Sequence, residues 1–177
     1  MKVAVVTGLA VSCLLCLAVL SESPKPAGTP QPSPASVCTS REFRQFDFWL
    51  GKWKVKNPDG NQVGTSEVTR VSEGCAIHEN WKSGRGTTGM SINYYDPSDR
   101  QWHQHWVGGD GTILHLHGEL VDKAMVLTGD TEASNGAKVD RITWTPLRDG
   151  KVKQEWSTST DDSKTWQTSF TGLYEKL

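Results

Sequence analysis

The sequence predicts an all-β fold, an antiparallel up-and-down barrel of about ten strands. From Gly51 onward, turn residues interrupt short alternating runs about every 8–12 positions, as in sandwiches and barrels. No stretch places apolar residues at helical spacing. So many short hairpins favour a closed barrel, because closure pairs the backbone groups that an open sheet edge leaves free. A Greek-key sandwich is the alternative.

The N-terminal residues are predicted to precede the folded domain. Residues 1–21 have the features of a secretory signal peptide, since Lys2 is followed by the apolar run Val3–Leu20 and then by small residues. A retained membrane anchor and a lipoprotein site at Cys13 are the alternatives. Residues 22–37 contain five of the eight prolines, which predicts a disordered linker. Residues 38–177 then form one barrel domain, and we expect an exported protein, periplasmic or extracellular.

Charge and cysteine content narrow the function classes. With 19 basic and 20 acidic residues, the chain lacks the dense positive field that nucleic acid or an anionic membrane surface attracts. We expect no nucleic-acid partner and no membrane insertion after signal cleavage. Cys38 and Cys75 remain in the exported form, where disulfides persist, so we expect them to pair. A metal or catalytic thiol site would need ligand spacings that are absent around them.

Turn residues divide the domain into strands, and alternation assigns a face to each strand. The breaks fall at Asn57–Gly60, Ser83–Gly86, Asp96–Asp99, Gly108–Gly111, Val121–Lys123, Ser134–Gly136, Arg148–Gly150 and Asp161–Ser163, with a less obvious one at Glu73–Gly74. In the first strand, Trp53 and Val55 face inward and the lysines between them face water. The inward sets expected on later strands are Met90, Ile92 and Tyr94; Ile142 and Trp144; Val152 and Trp156; and Trp166, Thr168 and Phe170.

Several motifs resemble those of a known superfamily. Gly51-Lys52-Trp53, at the start of the first strand, resembles the Gly-x-Trp of calycins, which include lipocalins, fatty-acid-binding proteins and nitrobindins. The accompanying motifs are Glu79-Asn80-Trp81, Asn93-Tyr94-Tyr95-Asp96-Pro97, Trp102-His103-Gln104-x-Trp106-Val107, Thr143-Trp144-Thr145-Pro146 and Gly172-Leu173-Tyr174. Together they resemble a family of small secreted bacterial proteins of lipocalin-like type and unestablished function. The resemblance implies a barrel with a ligand cavity and supplies no reaction. Haem is not expected, because nitrobindins ligate it through a His near the C-terminus and the last His here is His117.

Tryptophan and glutamine alternation predicts where a ligand binds. Isolated amides between large aromatic walls are typical of a small-molecule pocket, although a filled interior would use the same residues. The candidate lining residues are Trp102, Gln104, Trp106, Trp144, Gln154 and Trp156. We expect a small apolar or aromatic ligand, bound by a monomer or a homodimer.

Four histidines form two His-x-His pairs on consecutive strands, His103 with His105 and His115 with His117. If Trp102 and Trp106 share the interior with the leucines of the next strand, a three-residue turn with left-handed Gly111 is required. All four imidazoles then gather on the outer face, where they could hold Zn or Cu. A solvated strand surface is the alternative.

Enzymatic motifs are absent from the sequence. It contains no Gly-x-Ser-x-Gly elbow, P-loop or His-Glu-x-x-His. Segment 159–166 resembles the Asp-box of sialidases, which is a structural hairpin, and we interpret it as a turn. The leading function is binding of a small molecule in the barrel. The alternatives are a cyclase- or isomerase-type enzyme that uses Glu79 or His78 in the same cavity, and a surface metal or carbohydrate binder.

Overall fold

The computed structural model describes residues 37–133 and 136–177. It describes the side chains of these residues except those in segment 131–137. Ten antiparallel strands close into a barrel in which each strand pairs with its sequence neighbours and the first pairs with the last. This confirms the predicted fold class. The predicted signal peptide and nearly all of the predicted linker lie outside the described residues. Among the described residues, no helix is long and apolar enough to cross a membrane.

The strands follow one another with short connections and three single 3₁₀ turns. The 3₁₀ turns are Glu42–Arg44, Asp47–Trp49 and Ser72–Gly74. The strands are β1 (Gly51–Lys56), β2 (Gln62–Val71), β3 (Ala76–Ser83), β4 (Thr88–Asp96), β5 (Gln101–Gly108), β6 (Ile113–Val121), β7 (Ala124–Ala133), β8 (Gly136–Pro146), β9 (Val152–Ser159) and β10 (Gln167–Lys176).

The β5–β6 hairpin has the register that burial of its apolar side chains requires. Its turn is the expected one, with Gly111 at φ +86° and the Gly111 amide donating to the Gly108 carbonyl at 3.0 Å. Trp106 then pairs with Leu114, and both point inward. The predicted gathering of the four histidines outside the barrel is therefore confirmed.

The prediction of which face of β4 points into the barrel is wrong. Met90 is 42% exposed, whereas Ser91 and Asn93 are buried inside the barrel. The apolar set Met90, Ile92 and Tyr94 therefore lies outside. The physical reason is hydrogen bonding, because Ser91 and Asn93 bind polar groups that neighbouring strands present to the interior.

The prediction for β10 is correct at Phe170 and wrong before it. A bulge between Thr168 and Phe170 shifts the strand by one residue against β9, so the alternation changes phase there. Trp166 precedes β10 and stacks outside the barrel on Arg141, whose guanidinium carbon lies 3.8 Å from the ring centroid. Its indole donates to the Ser163 carbonyl within the Asp-box-like turn, at 3.1 Å.

One end of the barrel is closed by the segment before β1. Phe46 and Trp49 are fully buried there and stack at a centroid distance of 5.0 Å. Phe46 also meets Trp102 and Trp144 edge-on, at 5.6 and 5.2 Å. We call these four residues the aromatic plug. The plug therefore removes a large aromatic area from water at one end of the barrel.

A disulfide fixes the plug segment to the barrel wall. Cys38 and Cys75 are bonded, with their Cα atoms 5.0 Å apart, which confirms the predicted pairing. Two polar contacts support the same junction, since Arg44 donates to the Gly74 carbonyl at 2.8 Å and Arg70 forms an ion pair with Asp47. The chain that leads into β1 is therefore held against the start of β3.

Candidate functional site

A cavity of about 610 Å³ occupies the barrel on the side opposite the aromatic plug. Its mouth lies between the β3–β4, β5–β6 and β9–β10 ends, where Arg85, Asp110 and Ser169 contribute to the lining. The deeper lining consists of Glu79, Trp81, Gln104, Trp106, Leu114, Ile142, Gln154, Trp156, Phe170 and Tyr174. Apolar rings thus form most of the wall, with a few polar groups among them.

Two glycines give the wall tryptophans room to lie flat. A Cβ atom at Gly89 would stand 2.4 Å from the Trp106 ring, and one at Gly64 would stand 2.5 Å from the Trp81 ring. Both rings therefore occupy the space that a neighbouring side chain would fill. Trp81 also meets Phe170 edge-on at 6.3 Å. This arrangement keeps the aromatic bulk at the wall and leaves the centre open.

The cavity ends on a chain of buried polar side chains from β2, β3, β4 and β5, which we call the polar floor. Glu79 accepts hydrogen bonds from the hydroxyls of Ser66 at 2.9 Å and Ser91 at 3.2 Å. Asn93 donates to Ser91 at 2.9 Å and accepts from Gln104 at 2.8 Å. These pairings satisfy groups that would otherwise be costly to bury.

Glu79 is the only ionisable member of the polar floor. Burial raises the pKa of its carboxyl from 4.5 to about 7, while the two serine hydrogen bonds oppose this rise by stabilising the ionised form. Across the cavity, Tyr174 donates to Gln154 at 2.5 Å. Burial, together with the charge of Glu79, raises the pKa of the Tyr174 hydroxyl well above 10. The cavity therefore contains a carboxyl group that changes charge near neutral pH.

A second polar contact secures the wall near the mouth. The Trp156 indole donates to Asp140 at 2.7 Å, and Lys138 forms an ion pair with the same carboxylate at 3.4 Å. The lysine ammonium also lies 5.9 Å from the Trp156 ring centroid. These contacts fix the orientation of one aromatic wall.

The structure separates the six predicted lining residues into two groups. Gln104, Trp106, Gln154 and Trp156 line the cavity. Trp102 and Trp144 do not; they are buried at the closed end in the aromatic plug.

Sequence reasoning did not include Trp81 and Phe170 among the ligand-binding residues, although both line the cavity. It also missed Ser66 and Ser91, which belong to the polar floor behind the lining. A sequence signal was available for Trp81, because it alternates with Ile77 and Glu79 on one strand face. Of the two residues considered for acid–base chemistry, only Glu79 faces the cavity. His78 pairs with Ile92 on the other face of the sheet.

The outer histidine surface has two closely spaced imidazole pairs. His105 and His115 have ring centroids 4.6 Å apart, and His103 and His117 have theirs 6.1 Å apart. His103 bonds to Asp99 at 2.8 Å and His117 bonds to Gln101 at 2.6 Å. The ligand atoms of Asp96, Asp99 and His103 all lie within 4.8 Å of one another. Partial burial, reinforced by the neighbouring imidazoles, lowers the pKa of His105.

A wider depression of about 660 Å³ runs across the outside of the barrel. Its walls are mainly exposed side chains such as Lys52, Lys82 and Met90. Although it is slightly larger than the interior cavity, it has no buried carboxyl group and no set of converging aromatic rings. The interior cavity is therefore the better candidate site.

Comparisons with known proteins add no assignment to this geometry. No protein-family model matches the chain, and no curated protein matches it significantly. The function has to be argued from the cavity.

Proposed function

We propose that this protein is an exported binding protein that holds a small, mostly apolar or aromatic molecule inside its barrel. The observation that carries the proposal is the cavity of about 610 Å³, open at one end and walled by aromatic rings with amide and carboxyl groups among them. Ligand sites in proteins typically have volumes of about 300–1,000 Å³ and this kind of lining. The Cys38–Cys75 disulfide supports export, because such bonds persist in oxidising compartments.

We also propose that the chain is a calycin. A closed barrel with an internal cavity, and Gly51-Lys52-Trp53 at the start of β1, support this relationship. Trp53 of that motif is fully buried, and its indole donates to the Trp49 carbonyl at 2.9 Å. The motif therefore joins the first strand to the aromatic plug.

The test of cavity binding uses a neutral aromatic probe, N-phenyl-1-naphthylamine, titrated while its fluorescence is followed. Trp106→Ala and Trp156→Ala each remove a wall ring, and we expect each to weaken binding by about tenfold or more. Trp166→Ala is the matched control, because that ring lies outside the barrel on Arg141. Affinities unchanged within about twofold in both wall variants would place the site elsewhere.

The outer histidine surface supports a second binding activity. We propose weak uptake of Zn or Cu by His105 and His115, whose rings lie 4.6 Å apart. The lowered pKa of His105 keeps its imidazole neutral at neutral pH, which is the form that ligates metals. His103 and His117 have hydrogen bonds of 2.8 and 2.6 Å, whereas the contact between His105 and the Tyr94 hydroxyl is 3.4 Å long, so we expect His103 and His117 to contribute less.

A further inference from the structure

We propose that the ligand of the cavity is an amphipathic amine whose ammonium group pairs with Glu79 while its apolar body lies between the wall tryptophans. This inference rests on the proposed binding function and specifies the chemistry of the ligand. The observations that carry it are the position of Glu79, the polar groups that face it, and the rings that surround it.

Glu79 is a buried carboxyl group without a cationic partner in the described part of the chain. It is 3% exposed, lines the cavity, and has hydrogen bonds from two serine hydroxyls. The ion pairs found among the described residues all involve other carboxylates. A carboxylate offers about four acceptor sites, so two serine donors leave capacity for a ligand. A buried charge is normally paired, and here a bound cation would supply the pair.

Two tryptophans at strand positions beside Glu79 suit an ammonium group. Trp81 lies two residues further along β3 and therefore on the same face of the sheet. Trp106 belongs to the same cross-strand row, because Glu79 pairs with Ser91 and Ser91 pairs with Trp106. Tryptophan faces attract cations more strongly than other aromatic side chains do, and aromatic cages recognise substituted ammonium ions in this way.

The distribution of charge opposes an anionic headgroup at this depth. A ligand carboxylate placed at the polar floor would meet Glu79 as a like charge. The cations close to the cavity lie toward its mouth, where Arg85 contributes to the lining and Lys138 is paired with Asp140. A neutral headgroup would leave the ionised carboxylate without a counter-charge and would favour the protonated form of Glu79. An ammonium group is the headgroup whose charge the Glu79 carboxylate compensates.

Protonation of Glu79 makes the expected binding depend on pH. Its pKa of about 7 means that the carboxylate form falls from most of the population at pH 8 to about a tenth at pH 6. The flanking strands β2 and β4 present serine, valine and asparagine to the interior. Tyr174 from β10 stays protonated, because its pKa is raised well above 10. The other charged groups nearby are Arg85 and Asp110 at the mouth and the Lys138–Asp140 pair on β8. Because the carboxylate population falls about tenfold from pH 8 to pH 6, amine affinity should fall about tenfold as well.

The experiment compares three ligands with one apolar body: 2-(1-naphthyl)ethylamine, 2-(1-naphthyl)ethanol and 1-naphthylacetate. We expect calorimetry at pH 8 to show the amine binding at least about tenfold more tightly than the alcohol, with the carboxylate weakest. Glu79→Gln keeps the shape, can accept from one serine and donate to the other, and removes the charge. The amine should therefore lose its advantage, while the alcohol binds within about threefold of wild type. Glu119→Gln, on the exposed outer side of β6, is the matched control.

Two negative results have different meanings. If the alcohol or the carboxylate binds as tightly as the amine to the wild-type protein, the amine inference is wrong and the proposed cavity function stands. If none of the three ligands and no neutral aromatic probe binds, the proposed function itself fails. An amine advantage that persists in a folded Glu79→Gln protein would also overturn the assignment to Glu79.

Discussion

Replacing Glu79 with glutamine should change how protein stability depends on pH. The folded protein holds the Glu79 carboxyl at a pKa of about 7, compared with 4.5 in the unfolded chain. Between these values the folded state binds more protons than the unfolded state, so the free energy of unfolding decreases as pH rises. The stabilising contribution of this group is fully present below pH 4.5 and is lost as pH rises through 7. Glutamine has no such transition.

The expected magnitude follows from the pKa interval. A separation of about 2.5 pKa units, at about 1.4 kcal/mol per unit, gives an upper bound of about 3.5 kcal/mol. The free energy of unfolding of Glu79→Gln, measured relative to wild type, should therefore increase by up to about 3 kcal/mol between pH 4 and pH 8. Glutamine can accept a hydrogen bond from one of the two serines and donate one to the other, and these contacts do not change with pH, so they should cancel in this difference.

Urea unfolding followed by tryptophan fluorescence measures both free energies at both pH values. Glu119→Gln is the control, because it removes an exposed carboxylate from the outside of β6 and should shift stability by less than about 0.5 kcal/mol. If the Glu79→Gln difference is the same at pH 4 and pH 8 within about 0.5 kcal/mol, the carboxyl does not titrate as the structure implies.

Two further predictions concern the disulfide and the outer histidines. Cys38→Ala combined with Cys75→Ala removes a link across a sequence separation of 37 residues. This change should lower the free energy of unfolding by about 4 kcal/mol in urea titrations. If the wild-type protein without residues 1–21 titrates with two free thiols, the disulfide is contradicted. Calorimetry at about pH 7.5 should show one weak Zn site that is lost in His105→Ala and His115→Ala and weakened near pH 5.5, where protonated imidazoles do not ligate. Full Zn affinity in both variants would exclude this pair.

The sequence was sufficient where structure depends on local chemistry. Turn residues divide the chain into ten strands because they permit backbone angles that other residues adopt at a cost, as Gly111 does at φ +86°. The register of β5 against β6 followed from side-chain parity, since Trp106 and Leu114 can share the interior in only one alignment. The disulfide followed from a pair of cysteines in a domain that the sequence predicts to be exported.

Alternation defined two faces for β4 but did not decide which one is inside. The apolar face containing Met90 lies outside because Ser91 and Asn93 complete hydrogen bonds with Glu79 and Gln104 from the adjacent strands. Those partners lie 12 and 11 positions away in the sequence and meet only when β4 pairs with β3 and with β5. The bulge in β10 is likewise a property of pairing with β9.

The distinction between core and cavity also belongs to the tertiary structure. Trp102 and Trp106 lie on the same face of β5, and local sequence does not separate them. Phe46 fills the space beside Trp102, at a ring distance of 5.6 Å, while Trp106 lies beyond the reach of the plug and lines open volume. The sequence by itself determined the strands, the turns, the disulfide and which residues alternate together. Only the folded chain decided which tryptophans became core and which became a binding wall, because that choice depends on which distant segment packs against each ring.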